Sequence, residues 1–159
     1  MKILNYFKIN NIRLDNRICV SPMCQYSGIN GSPSKWHYIH LKKLMQVGAG
    51  MMMIESTAVS KSGMITEKDL ALKNNNNFKK FRDLIRSLKK ISNTKIGLQI
   101  SHAGRKGSAK VPWIKSNSPI TNKKKSWTTF SASAIQRDTN WPVPKELSLN
   151  QIKKIKKDF

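Results

Sequence analysis

Residues 17–28 bring together a thiol, a thioether and a phenol, three kinds of side chain that could take part in chemistry. The segment reads Arg-Ile-Cys-Val-Ser-Pro-Met-Cys-Gln-Tyr-Ser-Gly. Its β-branched start predicts a short strand, and Pro22 ends that strand because proline lacks the N–H that an internal strand position needs. Cys24 and Tyr26 are therefore predicted to lie in a loop at the carboxyl end of a strand, where parallel α/β folds build active sites.

Two later apolar runs end in polar residues in the same way. Residues 50–54 lead into Glu-Ser-Thr-Ala, so that Ala58 closes the second run. Residues 96–100 contain Gln99 and lead into Ser-His-Ala-Gly-Arg. An amide inside an apolar strand costs free energy unless it is paired, which favours a ligand contact for Gln99. Because the carboxyl ends of parallel strands meet at one edge of a sheet, we expect Cys24, Ala58 and Gln99 to lie together.

Strands and helices alternate along the rest of the chain. We expect a hairpin over residues 3–14 that turns at Asn10 and Asn11, since asparagine tolerates the positive φ of a tight turn. Strands are predicted at 17–21, 51–56 and 95–101, and helices at 34–47, at 76–92 and from 149 onward. Such alternation is typical of parallel strands with right-handed crossovers. Residues 106–144 lack a periodic pattern and are predicted to form a long irregular loop.

The predicted helices have start signals and apolar stripes. Ser34 and Ser148 are the predicted caps of the first and third helices. A spacing of three to four residues predicts that the first helix buries Trp36, Leu44 and Val47. By the same reasoning, the second helix is expected to bury Phe78, Phe81, Ile85, Leu88 and Ile91.

The chain of 159 residues carries 30 basic and 8 acidic side chains, a net charge of +22. A charge of this size could indicate a protein that binds nucleic acid or an anionic membrane. However, 24 of the 30 basic residues are lysines scattered along the chain, and asparagine and isoleucine, which share A/T-rich codons with lysine, are also abundant. We therefore interpret the charge as compositional bias, with no specific nucleic-acid partner and only weak, salt-sensitive adhesion to polyanions.

Cys19 and Cys24 lie too close along one strand to be bridged unless the strand folds back on itself. Because no signal peptide is recognisable, we expect reduced thiols and a cytoplasmic location. No Cys-x-x-Cys motif or Cys/His cluster predicts a metal site. The longest apolar run, residues 47–54, is too short to span a bilayer, so no membrane partner is expected.

Four segments of the chain resemble the Old Yellow Enzyme family, the FMN-dependent ene-reductases and NADPH dehydrogenases. They are residues 16–26, 36–41, 55–59 and 97–106, in the order and spacing of the family. The Ser-Pro-Met-Cys-x-Tyr strand end is similar to that of a bacterial branch of the family. The resemblance implies an α/β fold, the N-terminal part of a TIM (β/α)8 barrel with about three strand–helix units after an N-terminal hairpin. A complete barrel typically needs about 250 residues, so residues 1–159 are expected to be a truncated, partial barrel of the NADH:flavin oxidoreductase/NADH oxidase type.

The resemblance also implies a site and a reaction. The family's FMN contacts fall here on Ser21, Pro22, Met23, Cys24, Ala58 and Gln99. Tyr26 would be catalytic, with its hydroxyl donating a hydrogen bond to the substrate, and Cys24 would tune how readily the flavin takes a hydride. NADPH or NADH would donate the hydride, and a small unsaturated carbonyl compound, an enone or enal, would receive it. The full-length form would be a homo-oligomer.

The resemblance assigns no catalytic part to the three histidines. The family's substrate-binding His or Asn pair lies on the fourth strand, and its FMN phosphate site and the base near N1 and O2 of the flavin come from later strands, all beyond residue 159. We therefore expect His102 to be structural or peripheral, and His37 and His40 to be packing residues. No glycine-rich phosphate loop occurs here as a replacement. The isolated chain is expected to be inactive, to bind FMN weakly or not at all, and to be insoluble, molten or rescued only by association.

Two other interpretations remain open. One is a related reductase with an iron–sulfur cluster that acts on dienoyl thioesters, and its cluster cysteines would lie past residue 159. The other is a non-catalytic basic remnant that binds polyanions. The Met-Cys-Gln-Tyr run at 23–26 favours the simpler ene-reductase, while the scattered lysines and the polar Gln99 inside a strand argue against the remnant.

Overall fold

Eight strands and three α-helices make up the part of the chain that this computed structural model describes, residues 2–115 and 117–159. The strands are Phe7–Ile9 (β1), Ile12–Leu14 (β2), Cys19–Val20 (β3), Met51–Ala58 (β4), Leu70–Ala71 (β5), Lys95–Ser101 (β6), Phe130–Ser131 (β7) and Lys145–Glu146 (β8). The helices are Lys35–Met45 (α1), Asn75–Lys89 (α2) and Leu149–Asp158 (α3). None of these helices is long and apolar enough to cross a membrane.

A four-stranded parallel sheet is built around β4. One edge of β4 pairs with β3, where Cys19 lies opposite Met51, and further along with β5. The other edge pairs with β6, where Lys95 also lies opposite Met51. The expectation of adjacent parallel strands is therefore confirmed. The strand predicted at 95–101 has the bounds of β6, whereas β4 is two residues longer than predicted and β3 keeps only two of the five residues predicted at 17–21.

Asn16 joins the start of β3 to the turn before β4. Its Nδ2 donates to the carbonyl of Gly48 at 2.7 Å, and its Oδ1 accepts from the N–H groups of Ile18 at 3.0 Å and Gly50 at 2.8 Å. Gly50 has no room for a Cβ because the carbonyl oxygen of Asn16 occupies that space. These contacts align β3 with β4, so the loop that follows β3 starts from a fixed place.

A β-bulge interrupts the carboxyl end of β4. Glu55 and Ser56 lie opposite the single residue Gln99 of β6, and pairing resumes between Thr57 and Ile100. Bulges re-aim side chains and are common beside active sites. The bulge places Glu55 in a buried position next to α1, where it contacts that helix.

The main core lies between the sheet and the helices α1 and α2. Its fully buried side chains are Leu41 and Met45 of α1, Met52 and Ile54 of β4, Leu70 of β5, and Phe81, Leu84 and Leu88 of α2. Burying one side chain of this size stabilises a fold by about 1.5–3 kcal/mol relative to leaving it exposed. This layer therefore holds both helices on one face of the sheet.

The buried face of α1 is not the predicted one. His37, Leu41 and Met45 face the core, whereas Trp36 is 48% exposed and Val47, beyond the end of the helix, is 65% exposed. An apolar spacing argument favours Trp36 as the inward residue. In the structure a hydrogen bond to β4 turns His37 inward, and this rotates the adjacent Trp36 toward solvent.

The buried stripe of α2 agrees with the prediction only in part. Phe81 and Leu88 are buried as expected, but Phe78 is 52% exposed and Leu84 is fully buried. The difference arises in the first turn, where Asn77 takes the inward position and its Nδ2 donates to the loop before α1. A polar anchor of this kind is invisible to a search for apolar spacing.

The hairpin and the cap of the last helix match the sequence, but the long loops hold more structure than predicted. β1 and β2 pair antiparallel, with Asn10 at φ 49°, and Ser148 caps α3 in a reciprocal box with Gln151. Within the region predicted to be irregular, β7 forms and pairs in parallel with β8. β5 lies in the connection before α2. Two-residue strands leave no alternation that a sequence could reveal.

Candidate functional site

The loop after β3 crosses the carboxyl end of the sheet, and Gln25 fastens it there. The backbone N–H of Gln25 donates to Oε2 of Glu55 at 2.8 Å. The side-chain oxygen of Gln25 accepts from Nε1 of Trp36 at 3.2 Å. These bonds join the loop to β4 and α1. Cys24 and Tyr26 flank Gln25 in the chain, so the same bonds determine where the thiol and the phenol lie.

Tyr26 has a left-handed backbone, with φ 46°. This conformation costs a non-glycine residue on the order of 1–3 kcal/mol, and such strain persists only where the surroundings impose it. Here the chain is anchored on both sides of Tyr26. The N–H of Gln25 donates to Glu55, and the N–H of Gly28, two residues further on, donates to the carbonyl of Lys68 at 2.8 Å. Strained residues of this kind cluster at functional sites, which makes Tyr26 a candidate on backbone geometry alone.

The Tyr26 hydroxyl and the Cys24 thiol are close enough to affect each other's pKa. Burial raises the pKa of the Cys24 thiol above its ordinary value, and the negative charges of Glu55 and Asp69 raise it further. Burial also raises the pKa of the Tyr26 phenol, with Cys24 and Asp69 adding to the effect. Both groups therefore stay protonated at neutral pH and can act as hydrogen-bond donors.

A buried histidine–glutamate pair lies beside this loop. Nε2 of His37 on α1 is 3.0 Å from Oε1 of Glu55 on β4, and the two side chains are 1% and 4% exposed. The N–H of Ser34 donates to Nδ1 of His37 at 3.0 Å, so Nδ1 accepts and Nε2 carries the proton. The Ser34 hydroxyl lies 3.2 Å from the same Nδ1, so the cap of α1 occupies this nitrogen and leaves Nε2 to donate to Glu55.

Sequence reasoning assigned His37 to packing because its carboxylate partner lies 18 positions away, on another element. One signal could have found the pair. Glu55 follows directly on a buried apolar run, and a carboxylate in such a place needs hydrogen-bonding partners that are equally buried.

Five of the six predicted FMN contacts lie where a ligand could reach them. Ser21, Met23 and Gln99 are exposed, and Pro22 and Cys24 are half-buried. Residues 21–24 lie in the loop that follows β3. Gln99 lies near the carboxyl end of β6, two strands away in the same parallel sheet. The structure thus brings these residues to one edge of the sheet.

Gln99 and Ala58 differ from what their sequence context indicates. Gln99 is exposed, because the bulge interrupts the pairing of β6 beside it and, in the described part of the chain, β6 pairs with β4 alone. Its amide is exposed rather than buried, so the free-energy argument does not apply here, and the FMN contact of Gln99 stays a prediction. Ala58 is 1% exposed and packs with Met64 and Ala71, and its carbonyl accepts from the N–H of Leu72 at 2.8 Å.

A cavity of about 440 Å³ opens beside Tyr26. Ser56 and Ser101 line it at the ends of β4 and β6, with their hydroxyl oxygens 2.5 Å apart. Three basic side chains, Lys106, Lys110 and Arg137, contribute positive charge to its wall. The cavity is large enough for a small organic molecule and lies within reach of the phenol.

His102 also lines this cavity, so it is less peripheral than predicted. Its Nδ1 accepts from the N–H of Gly104 at 3.2 Å, and its Nε2 is 3.4 Å from the hydroxyl of Ser62. Burial lowers the pKa of the imidazole. The turn after β6 engages Nδ1, and the connection between β4 and β5 engages Nε2, which is consistent with a structural role.

The donor set at this edge fits the ring system of a flavin. The pyrimidine edge of a flavin presents donors and acceptors together, and an exposed amide such as Gln99 offers both. The protonated thiol of Cys24 adds a donor, and the backbone at 21–24 lies outside the strands, so that its peptide groups are not used by the sheet. A phosphate group needs several converging N–H or cationic donors. Within residues 2–115 and 117–159, no glycine-rich loop that opens a helix provides such a cradle.

Comparison with known proteins agrees with this donor set. The model of the NADH:flavin oxidoreductase / NADH oxidase family matches residues 2–159. The chain belongs to this family. Membership supports FMN and a nicotinamide dinucleotide as the cofactors, which confirms the cofactor prediction.

Curated relatives are similar to this chain over almost all of its length. An NADH:flavin oxidoreductase of Gibberella zeae is 34% identical over 161 residues, which cover 99% of this chain and 39% of the relative. An NADPH dehydrogenase of Clostridium acetobutylicum is 33% identical, over 98% of this chain and 41% of the relative. The chain therefore spans about two fifths of the length of these relatives.

Solved structures have the same fold. Morphinone reductase in complex with tetrahydroNAD superimposes with a TM-score of 0.81 at 14% identity, over 99% of this chain and 44% of that chain. The Old Yellow Enzyme homologue of Zymomonas mobilis superimposes with a TM-score of 0.77 at 14% identity, over 99% of this chain and 43% of that chain. The fold is therefore part of a (β/α)8 barrel, and the predicted fold class is confirmed.

Proposed function

We propose that this chain provides part of the active site of an NAD(P)H-dependent FMN oxidoreductase that reduces the activated C=C bonds of enones and enals. The observation that carries the proposal is the position of a thiol, Cys24, and a phenol, Tyr26, in one anchored loop at the carboxyl end of parallel strands in a member of this family, with a cavity beside the phenol. FMN, when bound, would accept a hydride from NADH or NADPH and donate it to the substrate.

In this proposal the chain's own residues bind the flavin ring and polarise the substrate. The contacts to the ring would come from the five reachable residues, Ser21, Pro22, Met23, Cys24 and Gln99, while the buried Ala58 would act only as part of the packed end of β4. Cys24 stays protonated and donates, which would tune how readily the flavin takes a hydride. Tyr26 holds a proton on its phenol oxygen and would donate a hydrogen bond to the substrate carbonyl as negative charge develops there.

The cavity beside Tyr26 supports a small-molecule substrate, since its volume of about 440 Å³ lies within the usual range for such sites. Cys19 and Cys24 are both free thiols, which supports a reducing, cytoplasmic location. We also propose that the functional form is a homo-oligomer. These statements concern a whole protein of the relatives' length, of which this chain matches about two fifths.

Tyr26→Phe is expected to slow enone-dependent turnover by about a hundredfold, because removing one hydrogen-bond donor from a developing oxyanion typically has an effect of that size. The test protein is a chimera in which residues 2–159 replace the matching segment of the Clostridium acetobutylicum NADPH dehydrogenase. NADPH oxidation with dioxygen as acceptor should change little, since that step does not use the phenol.

Tyr38→Phe is the matched control, because Tyr38 lies on the exposed side of α1. The pH dependence gives a second readout. The pKa of Tyr26 is raised, so the phenol donates at neutral pH and loses its proton only as the pH rises through that raised value. Enone turnover should therefore fall at strongly alkaline pH in the parent and show no such limb in Tyr26→Phe. Unchanged enone turnover in Tyr26→Phe would remove the phenol from the reaction.

A further inference from the structure

The buried His37–Glu55 pair takes no part in the proposed reaction, yet both carboxylate oxygens of Glu55 accept a hydrogen bond. Oε1 of Glu55 accepts from Nε2 of His37 at 3.0 Å, and Oε2 accepts from the N–H of Gln25 at 2.8 Å. A buried carboxylate is unfavourable unless its oxygens are hydrogen-bonded, so this arrangement has a specific structural reason. The group that it holds is the peptide between the thiol and the phenol.

We propose that His37 and Glu55 are positioning residues that clamp the Gln25 peptide and thereby hold Tyr26 and Cys24 in place. What the phenol and the thiol then do rests on the proposed function. The clamp itself involves only residues of this chain and can be tested without a flavin.

The hydrogen bonds leave the clamp a single arrangement. The N–H of Ser34, at the cap of α1, occupies Nδ1 of His37 and so fixes the proton on Nε2. With that tautomer, His37 can only donate to Glu55, and this orients the carboxylate with Oε2 toward Gln25. The start of α1 is thus linked through two side chains to the loop after β3.

The strained backbone of Tyr26 needs this clamp. Its left-handed turn is held downstream by the bond between Gly28 and Lys68 and upstream by the bond between Gln25 and Glu55. If the upstream anchor is lost, the turn can relax to an ordinary φ, and the phenol then leaves its position at the cavity.

The clamp has an electrostatic effect in addition to its geometry. The charge of Glu55 raises the pKa of Cys24 and, to a smaller degree, that of Tyr26. The other charged group that affects the thiol is Asp69, which precedes β5 and also raises the pKa of Cys24, whereas the nearby Tyr26 hydroxyl and the backbone of Ser56 lower it. Removing the charge of Glu55 therefore lowers the pKa of the thiol, and loosening the loop increases its accessibility.

Alkylation of Cys24 by iodoacetamide, measured against pH in a Cys19→Ser background, separates these two effects. The midpoint of the rate–pH curve reports the thiol pKa, and the limiting rate at high pH reports how accessible the thiol is. Glu55→Gln should lower the midpoint and raise the limiting rate. Both changes accelerate alkylation at neutral pH, and we expect an acceleration of at least about threefold. Glu55→Asp keeps the charge but shortens the reach, so it should raise only the limiting rate.

Three further variants complete the design. Glu67→Gln removes an exposed carboxylate from the same part of the chain and should change neither quantity. His37→Gln keeps a donor at the position of Nε2 and should retain most of the protection, whereas His37→Leu removes the donor and should raise the limiting rate as Glu55→Asp does. This rescue by a conservative substitution would not be expected if His37 only filled space.

A measurement on the unmutated chain covers the case in which the variants do not fold. The Gln25 amide lies outside the strands, so its slow hydrogen–deuterium exchange would depend on Glu55, and we expect it to be protected relative to the exposed loop amides. Fast exchange at Gln25, or the same alkylation curve for Glu55→Gln and Glu67→Gln, would overturn the proposal. If these results support the clamp while the chimera shows no flavin chemistry, the proposed function fails and the clamp stands.

Discussion

The chain of 159 residues, purified alone, is expected to be colourless and to bind FMN about a hundred- to ten-thousand-fold more weakly than the Clostridium acetobutylicum relative does. On the proposed function, the described residues would contact the flavin ring, and no glycine-rich loop among them opens a helix to hold the phosphate. A hydrogen bond to a charged group contributes about 1.5–3 kcal/mol, so the loss of two such contacts accounts for that range of affinity.

Comparing the affinities of FMN and riboflavin, which lacks the phosphate, tests directly whether the missing phosphate contacts cause the weak binding. If the described residues hold no phosphate site, as we expect, the two flavins should bind with equal affinity at high salt, where the net charge of +22 no longer attracts the phosphate non-specifically. The relative should prefer FMN strongly under the same conditions. A stable yellow protein with one FMN per chain would show that the described residues hold a phosphate site after all.

Unfolding of the isolated chain is expected to depend on protein concentration, with an unfolding midpoint that rises as the chain associates. In the described part of the chain the outer edge of β6 is unpaired, and an open edge is a template for pairing with another chain. Apolar side chains are also uncovered, among them Ile100, Trp113, Ile114, Leu149 and Phe159, which are 43–77% exposed. Each such side chain forgoes roughly 1.5–3 kcal/mol of burial, against a net domain stability of about 5–15 kcal/mol.

Sedimentation and thermal unfolding over about a hundredfold range of concentration provide the measurement. Added salt should strengthen the association, because it screens the mutual repulsion of chains that each carry +22. Because one face of the sheet is well packed against α1 and α2, we expect folded chains that associate rather than an entirely unfolded product. A sharp transition that is independent of concentration, in a monomer, would show that the described residues are stable by themselves.

The parts of the fold that could be predicted are those with long or regular patterns. The strand at 95–101 and the carboxyl-end position of Cys24 follow from an apolar run, a proline that ends a strand, and the alternation of strands with helices. These signals are local, and each reflects a backbone constraint that acts within a few residues. Family resemblance then added FMN and the barrel, which spacing alone could not supply.

The parts that could not be predicted depend on contacts between distant elements. The inward turn of His37 follows from Glu55 on another element, and no periodicity of α1 indicates it. The left-handed turn at Tyr26 follows from anchors on both sides that become visible only in the folded loop. The exposure of Gln99 follows from a bulge in the neighbouring strand. In each case tertiary structure overrides a local expectation.

The chimera carrying residues 2–159 in the Clostridium acetobutylicum NADPH dehydrogenase provides the most direct test of the central claim, that these residues form a working part of a flavin oxidoreductase barrel. The measurement is the amount of flavin that co-purifies with the soluble chimera, followed by the bleaching of that flavin on addition of NADPH. The account predicts about one FMN per chain and bleaching by NADPH. A soluble, folded chimera that retains no flavin, prepared beside a parent enzyme that does retain it, would contradict the account.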